Sequence, residues 1–260
     1  MLKHLNAIRY VSPLREGGSL PAIVEADDHQ LYVMKFRGAG QGRKALVAEL
    51  LAGEIGRLLG LNIPEIVLMH LDPMMGRSEP DPEIQDLLNF SVGLNLAMAY
   101  LPSALTLTAF PNTPLDATLA SNIVWFDAYV TNVDRTARNP NILFWNKEYW
   151  LIDHGAALYF HHSWLNYAKR SREPFALVKD HILLRFAAAL DTADKKLSSR
   201  LSADKLRAIV ESIPDEWLMD ESNFESVQTV RDAYWEYLVN RLQAPRAFVE
   251  EAMNARAKLV

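Results

Sequence analysis

Residues 132–155 open with Asn132-Val133-Asp134-Arg135 and pass through Asn139-Pro140-Asn141. They continue as Ile142-Leu143-Phe144-Trp145, the polar turn Asn146-Lys147-Glu148, and Tyr149-Trp150-Leu151-Ile152, ending on Asp153-His154-Gly155. Two apolar runs around a polar turn predict a short hairpin, Asn141–Trp145 with Tyr149–Ile152. Asp134 stands before it, five residues ahead of Asn139, and Asp153 ends its second strand. Phosphoryl transfer uses groups of this kind. One carboxylate accepts the proton of an attacking hydroxyl, an amide oxygen one short loop away meets a metal, and a further hard oxygen ligand suits Mg²⁺. An Asp cap with Asn turn residues, or an ordinary Asp turn, would give the same letters without chemistry.

Upstream, Leu119, Ile123, Phe126 and Val130 recur at helical spacing, so an amphipathic helix leads into Asn132. The first hundred residues read differently. Leu20–Ala26 and Gln30–Phe36 form a predicted hairpin about Asp27-Asp28-His29. A glycine-rich loop, Gly38 to Gly42, leads to a helix from Ala45 to Leu59, with Val47, Leu51, Ile55, Leu58 and Leu59 on one face. Strands follow at Glu65–His70 and Leu94–Leu101, and Pro73–Asp86 reads as a surface loop. Lys35 lies inside the apolar run Leu31–Phe36. It reads either as a solvent-facing residue of an edge strand or as a cation held rigidly to meet phosphate oxygens.

Beyond His162 the pattern is helical, with predicted helices at Phe175–Leu190, Ser202–Glu211, Ser226–Leu242 and Pro245–Lys258. A small β-rich part before a larger α-rich part gives an α+β class in two lobes, 1–101 and 102–260, hinged near Ala99–Ser103. Ten of the eleven glycines fall in the first 93 residues. The remaining one, Gly155, is expected to mark a backbone position no other residue could fill.

Composition removes several function classes. Net charge is −5, which argues against a nucleic-acid binder relying on a general basic surface. The absence of cysteine excludes disulfides, thiolate nucleophiles and thiolate zinc sites. No apolar stretch is long enough to span a bilayer and Met1–Tyr10 lacks the apolar core of a secretory signal, so a cytoplasmic, membrane-free protein is expected. His161-His162 are adjacent and diverge on any regular element, so they do not suit one shared metal.

Lys on a strand, then Asp-x4-Asn, then Asp-x-Gly, in that order, repeats the arrangement of protein kinases. The chain resembles the HipA-like kinases, and more distantly the phosphatidylinositol-type kinases. The resemblance spans roughly residues 15 to 165. It is carried by Tyr32-Val33-Met34-Lys35, Glu49 through Leu61-Asn62-Ile63-Pro64, Asn132-Val133-Asp134-Arg135, and Leu151-Ile152-Asp153-His154-Gly155. It implies a two-lobed kinase fold with ATP and Mg²⁺ as cofactors. Lys35 would hold the phosphates, Asp134 would act as catalytic base, and Tyr100 in the hinge would join the nucleotide contacts.

The metal amide stays open between Asn139, favoured by spacing, and Asn141, which immediately precedes the strand. Asp153 completes the metal set. The partner of Lys35 is Glu49 by the family pattern counted back from Gly60, whereas helical angles put Glu54 within the apolar face. Gly42-Arg43-Lys44-Ala45 lacks the ending of a phosphate-binding Walker loop. The nucleotide cover is therefore expected at Arg15-Glu16-Gly17-Gly18-Ser19, with Ser19 as a self-phosphorylation candidate. The expected activity is transfer of the γ-phosphate to a protein Ser/Thr hydroxyl. The alternatives are a nucleotide-binding pseudokinase or partner protein, and a kinase of small molecules or lipid headgroups.

Overall fold

The computed structural model describes residues 2–14, 20–40, 42–107 and 115–259. The loop Arg15–Ser19, with Gly17 and Gly18, lies outside them. Five strands, β1 (Lys3–Pro13), β2 (Ala22–Ala26), β3 (Leu31–Lys35), β4 (Ile66–Leu71) and β5 (Gly93–Ala99), close into a barrel in the order β1-β2-β3-β5-β4. All neighbours are antiparallel except β1 and β4, whose parallel pairing closes the ring. Ala22, Val24, Ala26, Tyr32, Met34, Val67, Met69 and Ala97 are buried in this cluster. Strand alternation then turns the other set outward. Ile66, Leu68, Leu96 and Met98 join the larger core instead.

Helix α1 (Gly42–Leu58) covers that outer face. A Cβ at Gly53 would lie 2.3 Å from the Ile66 side chain, and one at Gly56 would lie 2.3 Å from that of Ile63. Glycine at both positions lets the helix close onto β4. A second helix, α2 (Pro82–Phe90), occupies part of what the sequence suggested was loop. Its start carries ordinary signals: Asp81 accepts from the Glu83 N–H at 3.0 Å and Pro82 sits in the first turn. Strand β1 escaped notice because it is mostly exposed and lacks clean alternation.

After the barrel, β6 (Leu105–Thr106), β7 (Ile142–Trp145) and β8 (Glu148–Leu151) form a small sheet. The hairpin predicted at Asn141–Ile152 is β7–β8. Helix α3 (Ala117–Tyr129) precedes it, followed by α4 (Tyr167–Arg170), α5 (Leu190–Ser198), α6 (Ala203–Val210), α7 (Val227–Leu242) and α8 (Ala247–Ala257). The helix expected over Phe175–Leu190 is absent. Two 3-10 turns, Ala176–Asp180 and Leu184–Phe186, stand there. The intervening backbone is drawn to the Asp134 loop, since Thr136 bridges His181 and the Ile182 N–H donates to the Arg135 carbonyl. Tertiary pairing overrides the helical pattern of the run. No helix among the described residues is long and apolar enough to cross a membrane.

Arg241 of α7 is buried and caps the end of α3, donating to the carbonyls of Ala128 and Tyr129, both at 2.8 Å. The same guanidinium reaches the carbonyls of Ser171 and Glu173 and lies over the Phe248 ring of α8.

Candidate active site

Lys35 ends β3 opposite Leu96. Cross-strand partners share a face, so the lysine points out of the barrel and under α1. With β3 hydrogen-bonded on both sides, the solvent-facing edge-strand reading of Lys35 fails. Its ammonium pairs with Glu49 of α1 and with Asp153, the latter at 2.5 Å. Glu49 is fully buried although helical angles set it away from the apolar face. Residues Leu46 through Gly53 are buried without interruption, so this half of α1 has no solvent side. Glu54 pairs with Arg57 instead. Burial opposes the charge on Lys35, but the two carboxylates outweigh it and raise its pKa. Burial would likewise raise Glu49, yet Lys35 and His154 hold it far below the ordinary carboxylate range.

Asp153 has φ +55. That left-handed turn brings its side chain onto Lys35 while the next residue, His154, turns inward to Glu49. The glycine expectation fails two residues after Asp153: an added Cβ at Gly155 would meet Ala45 and Glu49 at 3.6 Å, an ordinary contact. The strained position is Asp153. Ala39 and Gly42, the first residue of α1, line a recess with Lys35, Asp153 and Gly155. The glycine-rich segment set aside in favour of Arg15–Ser19 thus borders the charged cluster.

Asp134 faces the cluster from the loop after α3. It accepts from Asn139 Nδ2 at 2.6 Å and is also hydrogen-bonded by Asn141. Asn141, at φ +49, has its amide 3.5 Å from the Asp153 carbonyl. Asn141 therefore stands between the two aspartates, and Asn139 donates its Nδ2 to Asp134, so the oxygen of neither amide is committed by these bonds. Burial raises the Asp134 pKa, the nearby Asp153 charge adds to this, and the two amides and Arg135 partly offset it. An upward shift makes the carboxylate the better proton acceptor. Two carboxylates, Glu49 and Asp153, share the one ammonium, and the charge of Asp134 is felt at Asp153's side of the cluster. Among the described residues no three His, Asp or Glu side chains form a ready metal cage. Tyr100 follows β5 at the far end of β3 from Lys35, its N–H donating to the Leu31 carbonyl.

A buried network that sequence reasoning missed fixes the Asp134 loop. Asp127, on α3, accepts from Arg135 Nε at 2.6 Å, His181 Nε2 at 2.9 Å and Asn132 Nδ2 at 2.8 Å. The Leu183 N–H donates to His181 Nδ1, which leaves Nε2 as the donor to Asp127. Arg135 also donates to the Asn141 carbonyl. One carboxylate therefore grips both the entry and, through Arg135, the exit of the loop. A lone Asp in the apolar run Ile123–Val130 was the available signal.

Of the adjacent histidines, His161 is buried with Nδ1 2.9 Å from the Tyr234 hydroxyl, and the two rings stand at 88°. Burial, with His162 and Lys44 nearby, holds the His161 pKa well below 6.5. Below that pH the unfolded chain takes up a proton that the folded ring refuses, so stability falls as pH falls. Chemical denaturation at pH 7 and pH 5 is expected to show this loss, and to show less of it in His161→Gln.

Fold and cluster together define a kinase-type phosphotransferase. The HipA-like kinase family profile matches residues 8–248, and the chain belongs to that family. Among solved structures it is similar to the Helicobacter pylori proinflammatory kinase CtkA, with TM-score 0.58 and 14% identity over 100% of both chains. It is also similar to the Golgi casein kinase with Mn/ADP bound, with TM-score 0.52 and 11% identity over 98% of this chain and 73% of that one. A second Golgi casein kinase structure matches at TM-score 0.52 and 12% identity, over 98% and 72% of the chains. At these identities the likeness is one of fold. No curated protein matches the chain.

Proposed function

We propose that the protein is a Mg-ATP-dependent kinase that transfers the γ-phosphoryl group to a Ser/Thr hydroxyl of a protein. The convergence of Lys35, Glu49, Asp153, Asn141 and Asp134 carries this reading. In it the chain divides into two lobes, 1–101 covering the nucleotide and 102–260 supplying the catalytic loop. The donor set fits the cofactor: a strand-held ammonium for phosphate oxygens, and hard oxygen donors from Asp153 and Asn141 for Mg²⁺, an ion that keeps several waters and needs few protein ligands. When bound, the metal neutralises charge on the phosphates. Lys35 leaves Asp153 and orients the phosphates, still braced by Glu49. Asp134, fixed by Asn139, accepts the hydroxyl proton at its carboxylate. Catalysis is then mainly positioning and charge stabilisation.

Mg-ATP at a hundredfold excess over Kd is expected to stabilise the wild type by about 2.7 kcal/mol. Thermal unfolding should show this as a rise in Tm of several degrees, and Asp153→Ala should lose most of the rise. Equal shifts in both proteins would remove Asp153 from the metal set. No shift in either would favour a partner-protein role. Phosphoserine or phosphothreonine on protein substrates, detected by mass spectrometry, separates the reading from a small-molecule or lipid kinase.

A further inference from the structure

The residue after Asp153 carries a second function. His154 is fully buried and meets Glu49 twice: its main-chain N–H lies 3.0 and 2.9 Å from the two carboxylate oxygens, and its ring Nδ1 lies 3.2 Å from Oε1. Its Nε2 is buried without a hydrogen-bond partner, and the ring packs edge-on to Phe126. Burying an unsatisfied nitrogen costs stability that an apolar side chain of similar size would avoid. The contact that repays this cost is the one to Glu49. Ordinarily, neighbours on an extended chain point apart. The left-handed turn at Asp153 instead sets consecutive residues on the two ends of one ion pair.

We infer that His154 is a positioning residue that keeps Glu49 in place while Lys35 exchanges Asp153 for phosphate. Exposure separates the two halves of the ring Lys35–Glu49–His154–Asp153. The Asp153 side chain is 44% exposed and free to leave, whereas those of Glu49 and His154 are wholly enclosed. When Asp153 departs, Lys35 retains one carboxylate, and His154 fixes where that carboxylate lies. The assignment rests on the phosphotransfer reading for its kinetic consequence, but its structural core does not.

Two substitutions give opposite orders for packing and for hydrogen bonding. His154→Phe keeps the aromatic contact with Phe126 and removes the donor. His154→Asn gives up the ring and returns an N–H near the Nδ1 position. The inference expects kcat/KM for Mg-ATP to fall about tenfold in His154→Phe, the value of one hydrogen bond to a charged group. Activity should return to within about threefold of wild type in His154→Asn, whereas a packing role predicts the reverse order and would overturn the inference.

The second arm needs no activity. NMR of the ¹⁵N-histidine-labelled, nucleotide-free protein, assigned by loss of the signal in His154→Phe, should show a proton on His154 Nδ1. A ring protonated on Nε2 alone overturns the assignment. If the wild type transfers no phosphate, the phosphotransfer reading fails, and the NMR arm still decides the role of His154.

Discussion

Asp134→Asn should bind Mg-ATP nearly as well as the wild type and transfer almost no phosphate. The amide keeps the size of the side chain and one acceptor oxygen, and the loop around it is held by Asp127 and Arg135 rather than by Asp134 itself. What is lost is the capacity to take the hydroxyl proton, a contribution of about 10²–10⁴-fold in rate. Radiolabelled ATP with a lysate, alongside nucleotide affinity, checks both halves. A variant that phosphorylates at the wild-type rate would show that Asp134 is not the base. One that loses ATP binding as well would make Asp134 part of the nucleotide site.

Asp127→Ala should cause a large loss of stability. The substitution leaves Arg135 and His181 buried without their shared carboxylate, and truncating one partner of such a cluster costs about 3–5 kcal/mol. Burial alone would raise the Asp127 pKa, but Arg135 and His181 hold it well below the carboxylate range. The cluster therefore stabilises the fold above the ordinary Asp value of 3.8 and fails only as acid reaches the depressed one. Urea denaturation of variant and wild type at pH 7 is the measurement. A difference below about 1 kcal/mol would mean that the network adds no net stability. Because the same carboxylate holds the Asp134 loop at both ends, any folded remainder should also be a poor enzyme.

Much of this arrangement was legible in the residues. The β2–β3 and β7–β8 hairpins, α1 and α3 follow from apolar periodicity and polar turns, and the order Lys35, Asp134, Asn139, Asp153 pointed to phosphoryl transfer. The unread parts have specific causes. Strand β1 hides because most of its residues face solvent. Segment 175–190 carries an apolar run that looks helical, but His181 and Ile182 are claimed by the Asp134 loop, a contact distant in sequence. The choice between Glu49 and Glu54 could not be made from one-sided amphipathicity, since α1 is enclosed on all sides over that stretch. His154 passed as the middle letter of Asp-x-Gly. Its role depends on a positive φ at Asp153, which the identity of that residue does not announce.

The Arg241 cap has a consequence for interpreting damage near the chain's end. Helix α3 delivers Asp127 and runs directly into the loop that bears Asp134, and its last two carbonyls rest on a guanidinium supplied more than a hundred positions later. Phe248, met edge-on by Trp125, in turn covers that guanidinium. The terminal helices thus serve as footing for the segment that bears Asp134. A harmful change at 241 or 248 would be a fault in the foundations, felt at Asp134 through the end of α3.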